Sequence, residues 1–289
     1  MRRFLASFFV IATLSSAYAA SIAETAEPGK TPAPIRFLLS FDDGPSAVRP
    51  DNPTEKVLAT LLNNPLQRDI KAIFFTQTRA VNGGGTEFGR ELLKREAEAG
   101  HLLAFHTATR RHANHRFLSE DELKASLELG IADLSSISGA APKLVRPPFW
   151  NYDARTLALY QHYGLQMLLT DLSANDGVIY GINFSLTKRR NMLKLLAALR
   201  VRWRENALPA VDGATPVVVT FHDINAYTAN HLEEYLEILL EVAQELEMPT
   251  AAKPFYDDRE ELERAALART VRDAGSKPTL PGIWNWLWR

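Results

Sequence analysis

Ile35-Arg36-Phe37-Leu38-Leu39-Ser40-Phe41 runs straight into Asp42-Asp43-Gly44-Pro45, so a near-continuous apolar run stops at two carboxylates and a Gly-Pro turn. A strand of a parallel sheet, covered by helices on both faces, has this pattern, whereas a half-exposed strand alternates apolar and polar residues. Similar short apolar runs recur at 72–76, 101–106, 144–147, 167–171 and 217–222. Between them, 54–63, 87–99, 119–136, 154–163, 186–204 and 230–246 carry apolar residues three and four apart with charged opposite faces, which predicts helices. Ser119 with Glu122 three residues later is a capping box. Six alternations of strand and helix make an α/β fold. For a chain of 289 residues, closure of the sheet into a (β/α) barrel is the economical arrangement. The competing open doubly wound sheet lacks its sequence mark: no G-x-G-x-x-G follows the first strand, and Gly83-Gly84-Gly85 reads as a flexible turn.

Composition narrows the function classes. Hydrophobic residues are 46% and charged residues 23% of the chain, a globular balance. Lys+Arg 33 against Asp+Glu 34 gives no basic excess, so neither nucleic acid nor an anionic membrane surface is expected as a partner. Cysteine is absent, which excludes disulfides, thiolate ligands and a cysteine nucleophile. Met1-Arg2-Arg3, the apolar run 4–14 and Ala17-Tyr18-Ala19 have the form of a signal peptide over 1–19. That run is shorter than the roughly 20 residues a spanning helix needs, so no membrane anchor is expected. Residues 20–34 read as a linker and 35–289 as one domain. The expected location is exported, periplasmic or secreted; nothing in the sequence sets the oligomeric state.

Chemistry in parallel α/β folds gathers at the carboxyl ends of the strands. Those ends carry Asp42 and Asp43, His106, Arg146 with Pro147 and Pro148, Asp171 with Asp176 beyond it, and His222 with Asp223. A carboxylate at the point where a buried strand breaks is costly unless a cation meets it. Adjacent side chains diverge, so one aspartate can hold a metal while its neighbour takes a proton. One aspartate and two histidines around an open position suit a hydrolytic divalent metal, zinc first among them, with cobalt, nickel and manganese admissible.

These segments resemble the motifs of the polysaccharide deacetylases, the NodB-homology carbohydrate esterases, metal-dependent hydrolases that remove acetyl groups from sugars. Ser40-Phe41-Asp42-Asp43-Gly44-Pro45 is similar to the first motif, T-F-D-D-G-P. Arg146-Pro147-Pro148-Phe149 resembles the third, and Thr220-Phe221-His222-Asp223 the fifth. The resemblance implies a distorted (β/α) barrel, Asp42 as general base and Asp43 as metal ligand. It further implies that Arg146 holds the base, the Phe149 backbone N–H faces the oxyanion, His222 is the general acid, and Asp176 orients and charge-tunes it. The second motif departs from H-[ST]-x-x-H. Here His106-Thr107-Ala108-Thr109-Arg110-Arg111-His112 puts Arg110 at the expected ligand position, and arginine has no lone pair to offer a cation. A two-residue insertion makes His112 the third ligand after Asp43 and His106, with His115 the alternative. Gly177 stands where the fourth motif has an aromatic residue, which would open one wall of the acetyl pocket. Trp150, at a usual glycine, either stacks on sugar or fills volume. An inactive carbohydrate-binding relative and a hydrolase of a small non-sugar amide are the competing readings. The Trp284, Trp286 and Trp288 tail is expected to close the barrel floor, and 257–272 to be a solvated outer helix.

Overall fold

The computed structural model describes residues 31–176, 187–273 and 275. The expected signal segment, Gly177 and the tryptophan tail lie outside the described residues. Eight strands among those described form one parallel sheet: β1 (Ile35–Asp42), β2 (Ile73–Gln77), β3 (Leu102–Thr107), β4 (Leu144–Val145), β5 (Gln166–Met167), β6 (Leu172–Ser173), β7 (Thr215–His222) and β8 (Thr250–Phe255). Their spatial order is β5-β4-β3-β2-β1-β7-β6, with β8 against the start of β1. Helices α1 (Pro53–Leu62), α2 (Glu87–Glu98), α3 (Glu120–Ser138), α4 (Ala154–His162), α5 (Lys188–Arg204), α6 (Ala226–Asn230), α7 (Leu232–Glu245) and α8 (Arg259–Ala268) connect or follow them. The Ser119–Glu122 capping box forms at the start of α3.

The two-residue period of a strand sorts side chains between the faces of the sheet. Phe37, Leu39 and Phe41 of β1, Phe74, Leu103, Phe105, Val145, Val217 and Val219 point to the outer helices and build the larger core cluster. Leu38, Ile73, Phe75, Ala104, Leu144, Leu168 and Val218 point the other way, into a second, smaller cluster closed by Leu262, Ala265 and Ala266 of α8. Continuing the inner rows toward the carboxyl ends gives Ser40 and Asp42, Gln77, His106, Arg146, and Thr220 and His222. The interior is thus apolar at its floor and polar at its mouth.

Three expectations change. The predicted strand 167–171 is two short strands: β5 pairs β4, and β6 pairs β7. Residues 168–171 cross the seam between the sheet's two edges, and no ladder joins β5 to β6 among the described residues. The barrel is therefore a curled, distorted one. The expected solvated helix 257–272 is α8, whose Leu262, Ala265 and Ala266 lie on one face and are fully buried in the barrel floor. The predicted helix 230–246 starts after a break at His231, with α6 before it.

Candidate active site

Asp43 is the first residue past β1 and turns the chain with a left-handed φ of 71°. A non-glycine residue there costs roughly 1–3 kcal/mol, so the turn is held from outside: the Gln77 N–H donates to the Gly44 carbonyl at 2.8 Å. Gln77 Nε2 also donates to Asp43 Oδ1 at 3.2 Å. The same Oδ1 lies 3.1 Å from His106 Nε2 and 3.2 Å from His112 Nε2, and the two ring nitrogens are 3.0 Å apart. Potential ligand atoms of Asp43, His106 and His112 all fall within 4.8 Å of one another.

The donor chemistry of this cluster fits a cation. His106 Nδ1 sits 2.7 Å from the Arg146 carbonyl. A carbonyl only accepts, so Nδ1 carries the hydrogen and Nε2 turns its lone pair to Asp43. Burial would raise the Asp43 pKa, yet the imidazoles of His106, His112 and His222 beside it hold it well below the usual carboxylate range. Burial lowers His112 to about 4 against the opposing pull of Asp43. At neutral pH Asp43 therefore offers an anionic oxygen and His112 a neutral imidazole, the protonation states a divalent metal requires. A lone pair and an ionised oxygen 3.1 Å apart repel unless a proton or cation stands between them.

The segment from His106 to His112 arches, with Arg110 and Arg111 exposed and His112 turned back inward. Thr109 Oγ1 bonds the Arg111 carbonyl across the arch. Beyond it, Arg155 of α4 donates from Nη2 to the carbonyls of His115, Arg116 and Leu118 at 3.3, 3.0 and 3.1 Å. His115 itself is fully buried, stacked on Phe105, with Nδ1 2.8 Å from the Tyr160 hydroxyl. Full burial pushes its pKa well down. It packs behind the site and is not in the ligand cluster.

Asp42, on the inner face, accepts from Arg146 Nη1 at 2.7 Å, and both side chains are buried. The guanidinium also donates to Ser40 Oγ, to the Leu168 carbonyl at 3.0 Å and to the Leu169 carbonyl at 3.1 Å, and it lies over the Phe75 ring. Arg146 thereby takes carbonyls that a continuous fifth strand would give to a ladder, and it fastens Asp42 to the seam.

Opposite, His222 Nδ1 donates to Asp176 Oδ1 at 2.8 Å. Asp176 also accepts the His222 backbone N–H at 2.9 Å and the Thr228 hydroxyl at 2.6 Å. Burial would lower the His222 pKa, but Asp176, with help from Asp43 and Asp42, raises it to about 10. Its Nε2 is 3.8 Å from Asp43 Oδ2. Asp171 is elsewhere: it accepts the Val218 N–H at 2.9 Å and pairs with Arg269. Its place on the seam, ahead of β6, keeps it out of the site.

Phe149 and Trp150 follow Pro147-Pro148 with φ of 60° and 53°. The Phe149 ring stacks on His112 at 4.5 Å and is 36% exposed. Trp150, expected as a substrate contact, is only 6% exposed and belongs to the outer core. Its position fits the volume-filling alternative and leaves no open face for a sugar. Sequence reasoning passed over Ser40, Gln77, Thr228 and Arg155. The first two were readable, since Ser40 lies two residues before Asp42 and Gln77 two after Phe75, each on the inward face; Thr228 and Arg155 are brought there only through tertiary packing.

A family model described as Polysaccharide deacetylase matches residues 29–168. The chain is 33% identical over 131 residues to the peptidoglycan-N-acetylglucosamine deacetylase of Bacillus cereus, covering 43% of this chain and 42% of that protein. It is 30% identical over 151 residues to chitin deacetylase 2 of Saccharomyces cerevisiae, covering 50% and 42%. The chain thus spans less than half the length of these two curated relatives. Among solved structures, the chitin deacetylase of Colletotrichum lindemuthianum matches with a TM-score of 0.56 at 22% identity, over 80% of this chain and 92% of that one. The fold is shared with that protein.

Proposed function

We propose, for a chain that belongs through residues 29–168 to the polysaccharide deacetylase family, that it is a metal-dependent hydrolase removing acetyl groups from a carbohydrate. The observation that carries this reading is the meeting of three potential ligands, Asp43, His106 and His112, with a tethered carboxylate and a protonated imidazole at one barrel mouth. A divalent cation held by the three, zinc first, would polarise the acetyl carbonyl and lower the pKa of a water from about 15.7 to about 7.

The remaining steps belong to the chain. Asp42, one oxygen of which Arg146 holds, takes a proton from water as the water oxygen attacks the acetyl carbon. The Phe149 N–H meets the developing oxyanion. The bond between the acetyl carbon and the sugar's nitrogen or oxygen breaks as His222 gives its proton to that departing atom, leaving acetate and the free amine or alcohol. Asp176 keeps that proton on His222 at neutral pH. Export is part of the proposal, resting on the first 19 residues of the sequence; among the described residues no helix is long and apolar enough to cross a membrane.

Acetate release is the test, measured with acetylated chitooligosaccharides, peptidoglycan and acetylxylan before and after chelation. Release from at least one of these, lost on chelation and restored by zinc, is expected. A protein that carries metal and releases acetate from none of them would turn the reading toward a non-sugar amide.

A further inference from the structure

Asp223 is used by none of these steps, yet it is fully buried directly behind the site. Its Oδ2 accepts the Thr54 hydroxyl at 2.6 Å, and Thr54 Oγ1 in turn accepts the Ser46 N–H at 2.9 Å. Its Oδ1 has no hydrogen-bond partner among the described residues. A Cβ built on Gly44 would lie 2.2 and 2.3 Å from the two carboxylate oxygens, so the carboxyl occupies the space a side chain at 44 would need. Gly44 directly follows the left-handed Asp43. The turn is therefore gripped on one side by Gln77 through the Gly44 carbonyl, and on the other by Asp223 against the Gly44 Cα and, through Thr54, at Ser46.

A buried carboxyl with an idle oxygen is a poor space-filler, and this one sits where the path of the Asp42–Asp43 backbone is decided. We propose that Asp223 is a positioning residue for the aspartate pair: seated against Gly44 and tied to Thr54, it fixes the turn that sends Asp42 to Arg146 and Asp43 to the two histidines. The inference rests on the metal-hydrolase reading and adds to it a residue that touches neither metal nor substrate.

Titration of the metal-free full-length protein with cobalt(II), following visible absorption, tests it. Asp223→Ala should bind cobalt about 10–100-fold more weakly, with an altered spectrum, while Asp223→Asn, which keeps the shape and can still accept from Thr54, stays within about threefold of the unaltered protein. Wild-type affinity and spectrum in Asp223→Ala would overturn the inference, as would an Asn variant as weak as the Ala variant. Should Asp223→Ala not fold, Thr54→Val decides: it keeps the size and removes the hydroxyl between Asp223 and Ser46, so weaker cobalt binding supports the inference and unchanged binding overturns it. An unaltered protein that takes up no cobalt defeats the metal reading and this inference together, whereas normal uptake with an indifferent Asp223→Ala defeats this inference alone.

Discussion

His222 holds its proton because Asp176 is 2.8 Å from Nδ1 and fully buried, and that single contact has a pH signature. With its pKa raised to about 10 in the metal-free protein, the imidazole stays a proton donor through neutral pH, and the alkaline limb of kcat/KM should lie above the ordinary histidine value but below about 10, because a cation on Asp43 opposes the proton. Asp176→Asn should move the limb down toward the ordinary histidine value of about 6.5. The same contact enters stability: folded His222 binds its proton more tightly than unfolded His222, so its contribution is complete below about pH 6.5 and fades as pH rises through about 10. Thermal melts of the two proteins should therefore converge at high pH. At the neighbouring pair the two aspartates separate by partner. Asp42→Asn should keep metal and lose turnover by about 10²–10⁴-fold, whereas Asp43→Asn should lose metal and turnover together. Equal metal loss in both would contradict the division of labour.

The elements explain which parts of this arrangement could be read in advance. β1, β2, β3 and β7 are buried on both faces, so their apolar runs were visible and so were the residues at their ends. β8 was not, because Thr250–Phe255 is a partly exposed edge with Lys253 and Pro254 inside it. The seam 168–171 reads as strand because Leu168 and Leu169 continue the apolar run from Met167, but their carbonyls bond to the Arg146 guanidinium, a contact that joins distant segments. His112 was reached by the insertion argument, and the Arg155 clamp that steadies the loop beyond it depends on the placement of α4. The role of α8 was hidden by its charge: three buried residues, Leu262, Ala265 and Ala266, outweigh the charged faces. Leu262→Ala should cost about 2–5 kcal/mol in a denaturant melt while metal affinity stays at the wild-type level. A parallel drop in metal affinity would show that the floor and the mouth are not independent.

Across the whole molecule, one alternation of side chains does two jobs: outward residues bind the helices, and inward residues pass from an apolar floor to a polar mouth. The proposed site lies where the inward rows end, so a sequence read for strand ends arrives at the residues that meet there, Asp42, His106, Arg146 and His222, with Asp43 one step beyond β1. The proposed signal peptide over residues 1–19 predicts export, and N-terminal sequencing of protein recovered outside the cytoplasm should begin at Ala20 or within a residue or two of it, whereas a chain that still begins at Met1 would contradict it. Central to the account is a divalent metal held by Asp43, His106 and His112. Metal stoichiometry of the purified protein and of His112→Ala, determined by elemental measurement after dialysis against zinc, tests it most directly. The account predicts one zinc per unaltered chain and a site emptied in the variant; full zinc retention by His112→Ala, or no zinc in the unaltered chain, would contradict it.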